Sequence, residues 1–350
     1  MSFPHPAVTA ARHAMIEALA GVPDGAAVLL AVSGGSDSMA LTKVAMWAAR
    51  GRIEVLSTTI DHGLRPESAA EALAVDRYLQ RVVDASIVTQ VQATVGGAGP
   101  EGNARAARYA RIADIARAGG RMKGTGPLTV LLGHTADDQA ETVLLGLGRG
   151  SGARSVAGMR AVGSLPGHDD VPMARPYLHM RRADLRTVCR ELDLPWVNDP
   201  TNEIDGPWRA ADGSPLRRSA IRHRVLPELD SALGGGVIEA LGRTALMARE
   251  DDDALSAIAH EIGRELVRDS GDGVVIPAKE LAAKPRALRT RILREALAKV
   301  ARAGDVVYWH INALDRLACG VDNKRDIDVP GAFARRADDL IFIAPRAEKS

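Results

Sequence analysis

Ala26-Ala-Val-Leu-Leu-Ala-Val-Ser-Gly-Gly-Ser-Asp-Ser38 is an apolar run that stops abruptly at a loop of small polar residues. Residues 26–32 have the length and composition of a buried strand and residues 39–50 read as a helix, which puts Ser33 to Ser38 at a strand-to-helix turn. Such a turn is a seat for phosphate. Gly34 and Gly35 let the backbone come close to an anion, and the hydroxyls of Ser33, Ser36 and Ser38 can donate to its oxygens. The helix N-terminus adds free N–H groups and the positive end of its dipole. The pattern is not the common P-loop, which needs a later Gly-Lys-Ser/Thr, nor the dinucleotide fingerprint, which needs a third spaced glycine. A plain glycine-rich turn is the alternative, and the order of these residues at a strand-helix junction argues against it.

Outward from this turn, strands and helices alternate. Residues 7–20 have helical apolar spacing; residues 53–60 read as a second strand, 67–83 as a helix, 87–95 as a third strand, 101–118 as a helix and 129–133 as a fourth strand. This is the pattern of βα units on a parallel sheet, and such sheets bind ligands at the carboxyl ends of their strands. Gly96 to Pro100 and Gly119 to Gly126 read as connectors, the second as a surface loop. The expected fold is α/β: a Rossmann-like, parallel-sheet nucleotide-binding domain over residues 1–226, followed by a smaller, mostly helical domain over 227–350.

Charged residues gather where the strands end. Asp61-His-Gly-Leu-Arg65 follows the second strand and sets a carboxylate, an imidazole and a guanidinium within one short turn. On the helix Ala104-Arg-Ala-Ala-Arg-Tyr109, Arg105 and Arg108 are one turn apart and share a face, a suitable clamp for a phosphate or carboxylate. His134-Thr-Ala-Asp-Asp-Gln-Ala-Glu-Thr142 opens the next helix, and the spacing brings Asp137, Asp138 and Glu141 toward one face. One acid there would be a cap. Three, with His134 and Gln139 beside them, suit either Mg²⁺ bound through water and phosphate or capture of a cationic amine.

The composition is that of a soluble globular protein, with 46% hydrophobic and 25% charged residues in 350. A net charge of +1 gives no global basic field, so a nucleic-acid site must be a local patch. The best one is Pro215-Leu-Arg-Arg-Ser-Ala-Ile-Arg-His-Arg224, where Arg217, Arg218, Arg222 and Arg224 occur without an acid until Glu228. Cys189 and Cys319 form no metal or redox pair by spacing, which suits a reducing cytosol and two small packed residues. No secretory leader or membrane span is read, and the expected location is cytoplasmic.

Ser33-Gly-Gly-Ser-Asp-Ser38 resembles the pyrophosphatase loop of the N-type ATP pyrophosphatases, the PP-loop superfamily. With Asp61-His-Gly-Leu-Arg65, the Arg105/Arg108 helix, His134 to Thr142, Arg149-Gly-Ser-Gly152, Arg175-Pro176 and Asn198-Asp-Pro-Thr-Asn202 in that order, the chain resembles the tRNA(Ile)-lysidine synthetases. The resemblance covers about residues 26–226. It implies a ligase that uses ATP and Mg²⁺ to adenylate the C2 oxygen of the first anticodon cytidine in a CAU-anticodon isoleucine tRNA. Free lysine then displaces AMP through its ε-amine.

The resemblance also implies roles. Ser33, Gly34, Gly35, Ser36, Asp37, Ser38, Asp61, His62 and His134 would hold ATP, with Asp37 on Mg²⁺. Asp37, Asp137, Asp138, Glu141 and Arg108 would form the catalytic set. Arg108, Asp138 and Glu141 would hold lysine, while Arg65, Arg105, Arg149, Arg217, Arg218, Arg222 and Arg224 would contact tRNA. Ser219 stands where the family commonly has Asn, and residues 203–215 look longer than usual. A homodimer is compatible with the sequence but not specified by it.

Beyond Glu228, residues 236–268, 285–303 and 306–318 read as amphipathic helices, the first with an acidic knot at Glu250-Asp-Asp-Asp253. Residues 326–343 read as a terminal hairpin. In the resembled family such a domain helps hold tRNA. Two other functions fit the same loop. A tRNA sulfurtransferase would need reactive sulfur that Cys189 and Cys319 do not offer, and a catalytically silent RNA-binding protein would not need an intact acidic set.

Overall fold

Ala27–Ala31 forms β1, the central strand, paired in parallel with β2 (Glu54–Asp61) on one side and β4 (Thr129–Leu132) on the other. The computed structural model describes the chain except residues 1–3, 62, 64–66, 92–98, 151, 199–202, 207–208, 210–212, 302–305, 322–325 and 347–350. The proposed site residues His62 and Arg65, and Asp199 to Asn202 of the quoted motif, therefore lie outside the described residues.

In chain order the first elements are α1 (Pro6–Leu19), β1, α2 (Ser36–Ala49), β2, α3 (Ser68–Leu79), β3 (Ala85–Gln90), α4 (Gly99–Met122), β4 and α5 (Ala136–Arg149). Then come α6 (Ala153–Val156), β5 (Val162–Leu165), β6 (His168–Ala174), α7 (Arg182–Glu191), α8 (Arg217–Ala220), a π-helical turn (Ile221–Val225), α9 (Leu226–Ala232) and α10 (Val237–Leu266). The sheet order is β3-β2-β1-β4-β6-β5, parallel throughout except for the edge strand β5. The chain steps outward from β1 to β3 and then crosses to β4 on the opposite side. The crevice between the ends of β1 and β4 is thus the switch point where such sheets take ligands.

Alternation along β1 supplies both faces. Val28 and Leu30 pack with α1, α2 and α7, whereas Ala27 and Leu29 pack with Tyr109, Ile112 and Ala116 of α4. Each fully buried leucine contributes roughly 1.5–3 kcal/mol.

Two expectations need correction. The strand read over 87–95 is β3 at Ala85–Gln90, and α4 runs through Gly119 and Gly120 instead of ending before them. Those glycines serve close approach. A Cβ on Gly120 would stand 2.1 Å from the Gly126 carbonyl oxygen, and one on Gly119 would stand 2.5 Å from Leu128.

The chain divides into two compact units, one of Met1–Leu145 with Met159–Gly242, the other of Gly146–Gly158 with Arg243–Ser350. Residues 227–242 fold with the first unit because Leu226, Leu229, Val237 and Ile238 pack on Ala140 and Leu144 of α5. The second unit contains most of α10, then β7 (Arg268–Ser270), β8 (Gly273–Pro277), α11 (Ala278–Ala282), α12 (Arg286–Val300), α13 (Tyr308–Cys319), β9 (Asp326–Val329), β10 (Ala332–Ala337) and β11 (Leu340–Pro345). Its sheet is larger than the expected hairpin: five antiparallel strands in the order β7-β8-β11-β10-β9. One member of the acidic knot, Asp252, is buried and accepts from Arg291 at 2.6 Å, so that charge is structural. Among the described residues no helix is long and apolar enough to cross a membrane.

Candidate active site

The phosphate turn is built by its own side chains. Ser38, buried in the first turn of α2, donates to the Gly35 carbonyl at 2.9 Å and accepts the Ser33 N–H at 3.2 Å, so its hydroxyl shapes the loop. Gly34 has φ +84°, and a Cβ there would meet Val75 Cγ2 at 2.5 Å. Its carbonyl accepts the Val197 N–H at 2.9 Å, which ties the turn to the segment after α7. Gly34→Ala is expected to cost about 1–2 kcal/mol in chemical denaturation, from the left-handed backbone and the Val75 clash. An unchanged midpoint would show that the loop has another conformation.

The end of β4 meets the start of α2 at Gly133, where a Cβ would lie 3.2 Å from the Asp37 carbonyl. This contact sets the acidic helix beside the phosphate turn. Arg182, at the first position of α7, joins the two: its Nε donates to Asp37 Oδ2 at 3.1 Å and its Nη2 to Asp138 Oδ1 at 2.7 Å. Glu141 Oε1 lies 3.9 Å from Arg182 Nη1.

The electrostatics follow from this crowding. Burial pushes the Asp37 carboxyl up to about 6, against the pull of Arg182 and with Asp138 adding to the push. Burial also opposes the Asp138 charge, but Arg182 and hydrogen bonds from Thr135 outweigh it and hold that carboxyl below its ordinary value. Arg182 is likewise buried, and Asp138, Asp37, Glu141 and Asp137 together keep it more firmly charged than an ordinary guanidinium.

The two neighbouring aspartates do different things. Asp137 accepts the backbone N–H of Arg182 at 2.8 Å and the Arg181 side chain at 3.3 Å, so it caps α7. Asp138 faces Asp37. Glu141 is fully buried and accepts from Arg222 Nε at 2.7 Å, with Arg218 Nη1 at 3.5 Å from its other oxygen. Gln139 locks α5 by bonding both backbone groups of Met159 at 2.7 and 3.1 Å.

Further basic groups gather near His134. Arg105 and Arg108 lie over the Tyr109 ring with guanidinium carbons 5.0 and 5.3 Å from its centre. Burial resists ionisation of Tyr109, yet Arg105, Arg108 and Arg175 together draw its hydroxyl below the ordinary value. Arg175, at the end of β6, donates from Nε to His134 Nδ1 at 2.9 Å and from Nη1 to the Arg160 carbonyl at 2.6 Å. His134 is thus a neutral acceptor at Nδ1. Burial first, then Arg175, keep its pKa well below the ordinary value.

Other sequence-derived residues are placed differently. Asp61 turns into its own loop, accepting from Gly63 N at 2.9 Å and Ser68 Oγ at 2.7 Å. In the Arg-rich segment, Arg218 and Arg222 face the carboxylates while Arg217 and Arg224 are exposed. Arg149 is exposed in the last turn of α5. Cys189 is buried against α2, its thiol donating to the Ser36 carbonyl at 3.2 Å.

The residue that sequence reading missed is Arg182. Its signal was present: Arg181-Arg182 open a helix, where the dipole disfavours cations, so nearby acids must compensate them. Those acids are Asp137, Glu239, Asp37 and Asp138.

As for metal, Asp37 Oδ1 accepts a hydrogen bond from Ser36 Oγ at 3.2 Å while Oδ2 faces Arg182. Mg²⁺ bound by one carboxylate, waters and substrate phosphates fits this donor set. Among the described residues, no group of three or more acids, histidines or cysteines converges as a metal cage.

The chain is similar to known proteins. The PP-loop domain family matches residues 9–229. The tRNA(Ile)-lysidine synthase of Thermobifida fusca (strain YX) is 41% identical, with 98% of this chain and 99% of that protein covered. That of Streptomyces coelicolor is 42% identical over 92% of this chain and 86% of the relative. The solved U34-tRNA thiolase NcsA of Methanococcus maripaludis superposes with a TM-score of 0.53 at 13% identity, covering 70% of this chain and 80% of its own, which speaks to the fold alone. A Ser-Gly-Gly-Ser turn at a parallel-sheet switch point and relatives aligned over almost the full chain agree: this protein belongs to the tRNA(Ile)-lysidine synthase family of PP-loop proteins.

Proposed function

We propose that the chain joins lysine to C2 of the first anticodon cytidine of a CAU-anticodon isoleucine tRNA, in the cytoplasm, through an adenylated tRNA. The observation that carries the proposal is Arg182, which reaches the phosphate turn through Asp37 and the acidic helix through Asp138. A seat for departing pyrophosphate and a seat for an incoming ammonium are therefore one side chain apart. That is what a two-step exchange on a single carbon requires.

In the first step the C2 oxygen attacks the α-phosphorus and the bond to pyrophosphate breaks. The amides around Gly34 and Gly35, with Ser33 and Ser36, hold the leaving group, and Asp37 would hold a Mg²⁺ that would supply positive charge against it. In the second step the ε-nitrogen attacks C2 and the bond to AMP breaks. Glu141, buried and acceptor-rich, takes the proton that the amine must lose, and Asp138 holds the ammonium before transfer. Arg105 and Arg108 offer their charge to a carboxylate or phosphate. Holding adenylate and amine together supplies much of the remaining acceleration by proximity.

For RNA, the exposed Arg217 and Arg224 are the natural phosphate partners in the first unit. In the second unit Tyr308 and the 72%-exposed Trp309 pack edge to face, 5.1 Å apart, and Tyr308 lines a cavity of about 350 Å³ with Arg154 and Arg294. Exposed aromatic rings beside guanidiniums suit unpaired bases. Trp309→Ala is expected to weaken tRNA binding by about 1–3 kcal/mol in a filter-binding titration; equal affinity would remove this surface from the tRNA footprint.

The activity itself is tested by pyrophosphate release from ATP with unmodified CAU-anticodon isoleucine tRNA. Release that requires this tRNA supports the reading. ATP left intact with the correct tRNA present would favour a silent RNA-binding protein instead.

A further inference from the structure

The Arg-rich helix has two faces, and the inner one occupies the seat proposed for the substrate amine. Arg218 and Arg222 are four residues apart and both turn toward Glu141, and Arg222 also lies 3.8 Å from Asp138 Oδ1. Glu141 has no exposed side-chain surface, whereas Arg218 and Arg222 keep 26% and 23% of theirs in solvent. The guanidiniums therefore reach inward from the surface to a fully buried carboxylate. A buried carboxylate must keep a cation beside it, so an incoming ammonium and the Arg222 guanidinium compete for one place.

Charge counting sharpens the competition. Asp37, Asp138 and Glu141 are matched by Arg182, Arg218 and Arg222. A substrate ammonium brought to Glu141 meets the Arg222 guanidinium already there, 2.7 Å from the carboxylate. An arginine has to leave. Arg182 is fixed by two carboxylates, Asp37 and Asp138, at 3.1 and 2.7 Å. Arg222 instead sits in the π-helical turn Ile221–Val225, flanked by the exposed Arg217 and Arg224. π-turns are local departures that helices keep at functional positions, and this one can return to α geometry by moving its residues one place in register.

We propose that Arg222 is a positioning residue that fills the ammonium seat at Glu141 in the free protein, and that phosphates of bound RNA draw it away, so that the lysine seat opens only on the RNA complex. The inference rests on the reading of Glu141 as the amine-binding carboxylate. It gives the enzyme an order: nucleic acid first, amine second. Free lysine is then not held in the site before an RNA is there to be adenylated. By linkage, lysine must tighten RNA binding by the same factor.

The test is equilibrium dialysis of radiolabelled L-lysine against the full chain without ATP, with and without saturating unmodified CAU-anticodon isoleucine tRNA. The wild-type protein is expected to bind lysine at least about tenfold more tightly with tRNA present. Arg222→Gln is expected to raise the tRNA-free affinity toward the tRNA-bound value and reduce the coupling below about threefold. Arg222→Lys restores a cation beside Glu141 and is expected to return the tRNA-free affinity to near wild type, which a merely structural role would not require. Equal lysine affinity with and without tRNA in the wild-type protein would overturn the proposal. So would full coupling in folded Arg222→Gln, or no saturable lysine binding even on the tRNA complex. Supplying ATP to the same preparation separates the two readings. Absence of lysidine overturns the functional assignment, and lysidine formed with uncoupled lysine binding overturns this inference alone.

Discussion

Asp37→Asn is expected to lower pyrophosphate release by about 10³-fold while making the free protein more stable. The catalytic loss follows from removing the carboxylate that fits Mg²⁺ beside the phosphate turn. The stability gain follows from the crowding of acids. Asp37 sits near 6 when folded against an ordinary 3.8, because burial and Asp138 outweigh Arg182. The folded state therefore binds this proton more tightly than the unfolded chain does. Stability from this group is greatest below pH 4, falls as pH rises from about 4 to 6, and stays low above that.

Asparagine carries no such penalty, and Arg182 keeps Asp138 at 2.7 Å in its absence. At pH 7 the variant is expected to gain about 1–3 kcal/mol in urea denaturation, with the advantage vanishing near pH 4. A variant less stable than wild type at pH 7 would show that the Asp37–Arg182 pair is net stabilising. A variant that still released pyrophosphate would show that Asp37 has no part in the leaving-group seat.

Glu141→Gln is expected to separate the two chemical steps. Glutamine fills the same space and still accepts from Arg222 through its carbonyl oxygen, but it cannot take a proton from an amine. Adenylation should persist within a few-fold, seen as a burst of pyrophosphate matching the bound tRNA. Lysine transfer should fall by about 10²–10⁴-fold, with adenylated tRNA accumulating. Rapid-quench analysis with α-labelled ATP reads both steps in one reaction. Equal loss of both would place Glu141 in the phosphate chemistry and not with the amine.

The strand-turn-helix at Ser33 to Ser38 and the parallel sheet were legible because each is local. A single apolar run ending in Ser33-Gly-Gly-Ser-Asp-Ser38 specifies a strand, a turn and a helix start, and α2 begins at Ser36, inside the motif. The acids of α5 were legible for the same reason, since helical spacing alone brings Asp138 and Glu141 to one side. The division of labour between Asp137 and Asp138 was not, because it depends on where α7 begins. Arg182 joins the site across 145 residues of sequence from Asp37, a contact made only by folding.

The second unit was read poorly for a different reason. β7 is three exposed residues, Arg268–Ser270, with no apolar alternation to mark a strand, and its pairing with β8 completes a sheet of which the terminal segment showed only a part. Gly119 and Gly120 misled in the opposite direction, having the composition of a linker but serving as contact points under Leu128 and Gly126. In the Arg-rich segment the composition pointed outward to RNA, and the four-residue spacing of Arg218 and Arg222 was the feature that pointed inward.

The measurement that tests the account most directly is mass analysis of the first anticodon nucleoside after incubation of unmodified CAU-anticodon isoleucine tRNA with the protein, ATP and Mg²⁺, with and without free lysine. A nucleoside heavier than cytidine by one condensed lysine is expected, formed only when lysine is present. Unchanged cytidine despite release of pyrophosphate, or a mass gain matching sulfur, would contradict it.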